Sequence, residues 1–417
     1  MHNLNKLLKL LFLLLFTQGI LQTIGIPIAI IKLCIEGLVI FMFFSNLKKL
    51  KTFFKLNLVL IIYILITIFS GLYNENDFWE SVLYFRYHLY AYLIFVLAYS
   101  HDWSINQVTE QFNFLKKLLI VQVLYAFFEL FILRNPQEEV VGTIFINGGE
   151  LATILPLVGL CFLFVDYLFY KKKMNLVLSI SLLLIGFASL KRGVIFYFPI
   201  LIIIIYVNFL RILGVHIAKK FLSISIVVLS VFTIFIFSVS KNISLKGDSL
   251  TSGISNSTSY AIKYSNAQSH DGYFIGRTSS SLQVIQKTGE NGLKDVLGFG
   301  PSTLLGKSGD FFFYNIDYGI VGWSKEVISV GWLGMIFYFL LYFILIKKIQ
   351  SKKEFFLRTI LKKYYLMITS FYLVFLLCFF TYSPIFSNSG VVSFYFMLFA
   401  GILLNYFNQQ NKYAKIK

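Results

Sequence analysis

Two cations stand side by side in "GFASLKRGVIFYF" (186–198), between two apolar runs that are each long enough to cross a membrane. Arg277 is a third cation, and it precedes residues able to start a short helix. Guanidinium groups bind phosphate oxygens in pairs, and a helix start adds free N–H groups. Lys191, Arg192 and Arg277 therefore indicate an anion site. The alternative for Lys191 and Arg192 is that they reach lipid phosphates at the interface.

Arg86, in "VLYFRYHLYAY" (82–92), is a cation within an apolar run. Facing lipid there costs roughly 2.5–3.5 kcal/mol, so we expect Arg86 to face the interior of the helical bundle. His88 is expected to be an interior histidine whose hydrogen bonds are satisfied. Glu150 has two interpretations, an ion-pair partner for one of the arginines or a contact to substrate.

A carboxylate or a histidine could accept a proton from a reacting hydroxyl group. The outward-facing candidates for this role are His270, Asp271, Asp310, Asp317 and Glu326. Tyr273 belongs to a group of aromatic residues near the same surface. Such residues form a belt at a membrane interface, or some of them stack on sugar rings.

The composition shows which elements must position these residues. The chain has 417 residues, of which 58% are hydrophobic and 13% charged, and its mean hydropathy is +0.76. This predicts an all-α, polytopic integral membrane protein. The net charge of +18 lies in short clusters between apolar runs, which is typical of topology signals and not of a nucleic-acid-binding face.

Apolar stretches of about 20 residues predict about twelve membrane spans. They are 4–21, 26–45, 56–73, 82–100, 115–133, 151–170, 174–190, 193–213, 221–240, 326–346, 365–382 and 391–408. Six basic clusters fall on one side if both termini are cytoplasmic, which is the orientation that we predict. They are 46–55, 114–117, 171–173, 211–220, 347–363 and 412–417.

The predicted topology divides the chain into three parts. Residues 1–240 form a bundle of about nine spans, 241–325 a large extracytoplasmic loop, and 326–417 three spans with a cytoplasmic tail. Within the loop, Thr278 or Ser279 is expected to cap a short amphipathic helix whose apolar face contains Leu282, Val284 and Ile285. "GFGPS" (298–302) predicts a turn whose glycines allow close backbone approach.

Several chemistries have no motif in the sequence. It contains no Walker A loop, no H-E-x-x-H, no G-x-S-x-G and no clustered His/Cys ligand set. Cys34, Cys161 and Cys378 fall in apolar stretches without metal-binding or disulfide spacing. We therefore expect neither a metal nor a cofactor. The first apolar run lacks a small-residue cleavage site, so no cleavable signal peptide is expected.

Between residues 140 and 346, the order of motifs resembles the O-antigen polymerase and ligase superfamily. The similar segments are "INGGELATILPLVGL" (146–160), "LLLIGFASLKRGVIFYFPILI" (182–202), "IGRTSSSLQVIQKTGENGLKDVLGFGPS" (275–302) and "EVISVGWLGMIFYFLLYF" (326–343). The last opens with a Gly-x-x-Gly step at Gly331 and Gly334. The family's Ser-Arg-Gly is Lys-Arg-Gly here, which retains the arginine.

The resemblance implies glycosyl transfer at the outer face of the bacterial inner membrane. Donor and acceptor would both be oligosaccharides linked to polyprenyl diphosphate, membrane lipid would surround the chain, and a chain-length regulator protein is a candidate partner. Arg192 and Arg277 would contact the diphosphate. Asp317 and Glu326 lie nearest the region in which the ligases carry a catalytic histidine, and Lys191, Glu150, Arg86, His270 and Tyr273 are candidate substrate contacts.

Three functions remain open at this point. The ligases have a His-Asn pair shortly before the Gly-x-x-Gly step, and "YNIDYGIVGWSKEVISVGWLG" (314–334) contains no histidine, which favours a polymerase. The alternatives are an O-antigen ligase and a lipid-linked oligosaccharide flippase or other secondary transporter. The absence of an internal repeat and the single large loop weigh against a transporter.

Overall fold

The computed structural model describes residues 2–51, 53–133, 142–144, 149–188, 192–216, 223–226, 230, 277–288, 292–301, 320–383, 386 and 390–416. All regular secondary structure in these ranges is helical. Seven of the described helices are long and apolar enough to span a membrane. The predicted class, a helical membrane protein, is confirmed at this level, and the number of twelve spans stays a prediction.

The helices follow the apolar runs of the sequence. They are α1 (His2–Thr23), α2 (Ile28–Ser45), α3 (Phe54–Tyr73), α4 (Phe78–Ser100), α5 (Ile105–Phe128), α6 (Gly149–Tyr170), α7 (Lys173–Ala188), α8 (Arg192–Ile212), α9 (Arg277–Lys287), α10 (Leu293–Leu297), α11 (Gly322–Gln350), α12 (Lys353–Arg358), α13 (Lys362–Thr381) and α14 (Gly390–Ile416). Each predicted span overlaps one of them except 221–240, most of which lies outside the described residues.

Polar residues mark the turns between successive helices. Asp77 caps α4 by accepting a hydrogen bond from the Trp79 N–H at 3.0 Å. Ser104 and Gln107 form a reciprocal capping box at the start of α5. We call the end of the bundle where α3 ends and α4 begins the predicted outer end. The opposite end, where α4 ends and α5 begins, is the predicted inner end.

The core is rich in aromatic rings. α14 packs along α4 and against α13, and Phe112, Phe162 and Tyr395 bring α5, α6 and α14 together. The ring centroids of Phe112 and Phe162 lie 5.5 Å apart, and those of Phe162 and Tyr395 lie 5.4 Å apart. Offset and edge-to-face pairs of this kind add to the burial of apolar area. The core thus fixes the helices that carry the polar residues described below.

Helix α11 is broken at Gly331, where φ is 70° and ψ is 179°. This backbone region is accessible essentially to glycine alone. Before the break, the Tyr63 hydroxyl donates to Glu326 Oε2 at 2.9 Å, and the Ser70 hydroxyl donates to the Ser329 carbonyl at 2.8 Å. Residues 322–330, which we call α11a, therefore run in the same direction as α3.

After the break, the direction reverses. Gly334 lies against Ile66, and the rings of Tyr338 and Tyr63 are 6.0 Å apart, so residues 332–350 (α11b) run antiparallel to α3. The chain thus enters the bundle in α11a, turns at the glycine and continues as α11b. The helix Gly322–Gln350, long and apolar enough to span a membrane, covers the predicted span at 326–346. The structure adds a break at the Gly-x-x-Gly step, where the helix turns back.

Candidate functional site

The turn at residues 298–301 packs against α11 at its break. The Phe299 N–H donates to the Ile328 carbonyl at 2.7 Å, and Asn74 donates to the Gly298 carbonyl at 3.0 Å. A Cβ atom on Gly298 would lie 2.5 Å from the Gly331 nitrogen. The close backbone approach that the glycines of this turn predicted is confirmed. The break at Gly331 leaves the Ile328 carbonyl without its partner within the helix, and the Phe299 N–H donates to it instead.

Helix α9 runs alongside α11a in the same direction. Near its start, the Ser281 and Ser324 hydroxyl oxygens lie 3.4 Å apart. At its end, the Trp332 indole N–H donates to the Thr288 hydroxyl at 3.3 Å. The predicted short helix is confirmed, and the segment that contains it is packed on the bundle. The prediction that Thr278 or Ser279 caps it is wrong, because both residues lie inside the helix. The start of α9, at Arg277, is one turn before Ser281.

The apolar side chains of α9 do not form the single face that the sequence predicted. Val284 is fully buried, whereas Leu282 and Ile285 are about half exposed. Ser280, Val284 and Thr288, spaced four residues apart, form the buried stripe. Two apolar residues thus remain on the side of the helix that faces away from α11.

Glu326 lies at the centre of a buried polar cluster. Its side chain has no exposed surface and accepts the hydrogen bond from Tyr63. Tyr63 is ten residues before the end of α3, about 15 Å along the helix. The buried Tyr84 adds a second ring, and Lys325 Nζ lies 5.1 Å from the centre of that ring. Glu326, a candidate for the outer side in the sequence, is thus buried among helices, because α11a turns into the bundle.

His88 extends this cluster along α11b. It is buried, which confirms its interior position, and its ring lies 5.4 Å from Tyr63 and 4.8 Å from Tyr338. Neither ring nitrogen of His88 makes a hydrogen bond to a described residue, so the expectation of satisfied hydrogen bonds is not met within the described part of the chain. Tyr342 follows, with its ring 5.6 Å from that of Tyr338. The rings of Tyr63, His88, Tyr338 and Tyr342 therefore form a continuous series of contacts that starts at Glu326.

Arg86 belongs to a different group. Residues 84 and 86 are about 200° apart on a helix, so Arg86 points away from the Glu326 cluster and towards α2. Its Nη1 atom lies 3.7 Å from Glu36 Oε1, and its guanidinium stacks on the Tyr87 ring at 4.9 Å. The Tyr90 hydroxyl donates to Glu36 Oε2 at 3.3 Å. The prediction that Arg86 faces other helices is confirmed.

The remaining predicted site residues are only partly described. Arg192 and Arg277 are the first residues of α8 and α9, and Glu150 is the second residue of α6. For these three, the backbone alone is described. The rest of the predicted set lies outside the described residues, namely Lys191, His270, Asp271, Tyr273, Asp310 and Asp317.

The chain matches no protein-family model and no curated protein. Within the described part of the chain, no group of three or more His, Cys, Asp or Glu side chains is placed to hold a metal ion. Sequence reasoning missed Tyr63, Tyr84 and Lys325. Thr67 and Ser70 were an available signal, because they are polar residues in an otherwise apolar helix and both are fully buried.

Sequence reasoning also missed an ion cluster at the predicted inner end. Asp166 accepts hydrogen bonds from Lys116 at 2.7 Å, Lys363 at 3.1 Å and Asn175 at 2.7 Å. Lys363 Nζ lies 3.9 Å from the centre of the Phe112 ring. Both Asp166 and Lys363 are almost fully buried. The cluster joins α5, α6, α7 and α13.

Proposed function

We propose that the chain polymerises a bacterial surface polysaccharide in the inner membrane. A glycan carried on polyprenyl diphosphate is transferred to a sugar hydroxyl of a second lipid-linked repeat unit. The bond between the anomeric carbon and the diphosphate oxygen breaks, and a bond to the acceptor oxygen forms. The hydroxyl proton passes to a base of the protein, and the diphosphate leaves with the added negative charge.

One observation carries this proposal: the helix that begins at Arg277 packs beside the segment that contains Glu326. Arg277 is one turn from Ser281, which contacts Ser324, and Ser324 is two residues from Glu326. A cation at a helix start and a buried carboxyl group thus belong to neighbouring segments. Glycosyl transfer from a diphosphate requires this pairing of groups, one for the leaving group and one for the acceptor proton.

The proposed roles follow from the chemistry of each side chain. Arg277 and Arg192 bind the departing diphosphate, and each such donor lowers the barrier by about 2.7–4 kcal/mol, by analogy with oxyanion sites. Glu326 accepts the proton of the acceptor hydroxyl once a movement of the chain exposes its buried carboxyl group, which Tyr63 orients. Asp317 is the second candidate for the base. The lipid tail of the substrate lies between the helices.

The test is complementation of a strain that lacks the gene, with the length of its surface polymer read on a gel. Arg277→Ala should abolish long chains at normal protein level. Arg277→Lys should also fail, because lysine lacks the planar fork that grips two phosphate oxygens. The control is Arg211→Ala, an exposed arginine at the predicted inner end. A normal ladder from Arg277→Ala removes this residue from the mechanism, and full polymer in the deletion strain refutes the function.

A transporter of lipid-linked oligosaccharide is the second candidate function. Broken helices and carboxylates at membrane depth are features of secondary transporters, and α11 with Glu326 combines both. The deletion strain separates the candidates. A missing polymerase leaves single repeat units accessible from the outer face, whereas a missing transporter leaves them on the cytoplasmic face. Lipid-linked polymer that accumulates would instead indicate a ligase.

A further inference from the structure

A cavity of about 70 Å³ lies between α1, α2, α4 and α14 at the predicted outer end. Its polar lining residues are Gln18, Lys32, Glu36, Tyr87 and Tyr90. Lys32 is four residues and Glu36 eight residues after the start of α2, about 6 and 12 Å along the helix. Ionisable side chains at such depth are costly and mark functional positions.

The ion pair beside this cavity is not closed. Arg86 Nη1 and Glu36 Oε1 are 3.7 Å apart, which exceeds a hydrogen-bond length. Glu36 Oε1 and Arg86 Nε are both buried, and neither makes a hydrogen bond to a described residue. One hydrogen-bond acceptor, Glu36 Oε1, and one donor, Arg86 Nε, are thus unpaired among the described residues and shielded from solvent. A ligand that brings hydroxyl groups and an anionic oxygen would satisfy both.

The charges at the cavity define the ligand further. Lys32 and Arg86 carry two positive charges and Glu36 one negative charge, so the group has a net charge of about +1. A single phosphodiester balances this charge. On this measure about 10–15 Å³ is enough for one water molecule, so the cavity has room for several polar groups of that size. It therefore fits hydroxyl groups that reach Glu36, with the phosphate nearer Lys32 and the start of the helix.

Access from the lipid is direct, because α2 is the most exposed of the candidate spans. In its most apolar stretch of 18 residues, only 22% of the residues are buried, against 44% or more in the other six helices that are long and apolar enough to span a membrane. The lipid-facing side of α2 includes Leu33, Ile40 and Phe44, which are all exposed. A lipid could therefore place its chains along α2 and its head in the cavity.

We propose that this cavity binds the head of a membrane lipid in which one phosphate is linked to a polyol. Lys32 binds the phosphate, Arg86 beside the cavity offsets the charge of Glu36, the hydroxyl groups donate to Glu36, and the rings of Tyr87 and Tyr90 pack against the carbon chain of the polyol. This chemistry has two sources, a glycerol-headed phospholipid and a glycan on a polyprenyl carrier. The inference does not depend on the proposed function.

The test uses the full chain in detergent and measures lipid binding by native mass spectrometry. Phosphatidylglycerol and phosphatidylethanol carry the same phosphodiester charge, and only the first has hydroxyl groups. Wild-type protein should bind phosphatidylglycerol about tenfold more tightly, the effect of one charge-assisted hydrogen bond. Lys32→Gln should weaken both lipids about tenfold. Glu36→Gln should reduce the preference to less than about threefold, because a neutral acceptor binds a hydroxyl more weakly.

Lys55→Gln is the matched control, an exposed lysine at the predicted inner end, and it should bind both lipids as the wild type does. Equal binding of the two lipids by the wild type overturns the proposal, and this comparison needs no variant to fold. Identical affinities of Lys32→Gln and Lys55→Gln overturn it as well. A polyprenyl-phosphate glycan that displaces phosphatidylglycerol identifies the glycolipid as the source, and failure to displace it identifies the phospholipid.

Discussion

The charged groups around Asp166 and around Glu36 both join helices in the described part of the bundle, and their geometries differ. At the predicted inner end, both oxygens of Asp166 are occupied, with Lys363 at 3.1 Å and Lys116 at 2.7 Å. At the predicted outer end, Arg86 and Glu36 remain 3.7 Å apart beside a cavity. The first group is closed by its own side chains. The second leaves hydrogen-bonding capacity for another molecule.

The difference separates a structural use of charge from a binding use. A buried charge is tolerated when partners replace the water that it loses. Asp166 has these partners from three helices, so its cluster acts as a joint between them. Glu36 has only the Tyr90 hydroxyl at hydrogen-bond distance among the described residues. The following predictions test this contrast, in order of the expected effect.

The largest effect is expected from Asp166→Ala. It leaves Lys363 buried without a counter-charge, and breaking a buried pair in this way costs about 3–5 kcal/mol. Thermal unfolding in detergent measures the loss. Asp102→Ala is the matched control, because Asp102 pairs with Lys51 at 3.2 Å while 70% of its side chain is exposed, and it should change stability by less than about 1 kcal/mol. Equal losses in the two variants would mean that the Asp166 cluster is not a structural joint.

The next effect is expected at the break in α11. Gly331→Ala places a Cβ atom 2.0 Å from the Val296 carbonyl oxygen, in a backbone region that costs about 1–3 kcal/mol for other residues. We expect a lower melting temperature and release of the turn at 298–301. Thiol labelling of a Phe299→Cys substitution measures this release. Gly37→Ala is the control, since nothing lies within 4 Å of its Cβ position. Unchanged labelling in Gly331→Ala would show that the turn does not depend on the break.

A smaller effect is expected for Tyr63→Phe. It removes the hydroxyl that donates to Glu326, and a hydrogen bond to a charged group contributes about 1.5–3 kcal/mol. Tyr395→Phe is the control, because the Tyr395 hydroxyl is buried and has no hydrogen-bond partner among the described residues. Unfolding of both variants under identical conditions gives the comparison. If the two lose the same stability, Tyr63 does not hold Glu326.

The smallest effect on stability is expected for Glu36→Gln. The Arg86 and Glu36 side chains are 24% and 17% exposed and are not in hydrogen-bond contact, so their attraction contributes about 0–1 kcal/mol. Thermal unfolding should place this variant near the wild type. A loss as large as that of Asp166→Ala would contradict the division between a closed structural cluster and an open binding group.

Several features of the fold were predictable from local sequence. Apolar runs give helices, and the turn at 298–301 needed glycines because Gly298 and Gly300 adopt φ values of 86° and 99°. The inward direction of Arg86 followed from the cost of exposing a guanidinium to lipid. In each case the chemistry of the residue itself restricts its backbone conformation or its orientation, independently of residues distant in sequence.

Other features could not be read from neighbouring residues. Gly331 lies in an apolar run that looks like one span. The helix breaks there, and a distant turn at 298–301 supplies the N–H that pairs with the freed carbonyl of Ile328. Glu326 looked like an outward residue at a span end until the turn placed it beside Tyr63. Asp166 lies 50 and 197 residues from the two lysines that bind it.

The sequence by itself determined that this chain is helical, that it is apolar enough for a membrane, and that the turn after α10 needs glycine. The tertiary structure decided which charges are neutralised, which carboxyl groups are buried and which pair stays open. The physical reason is the separation along the sequence of the residues that each effect involves. Helix formation and backbone strain depend on adjacent residues, whereas the free energy of a buried charge depends on partners that only packing of distant helices brings within hydrogen-bond distance.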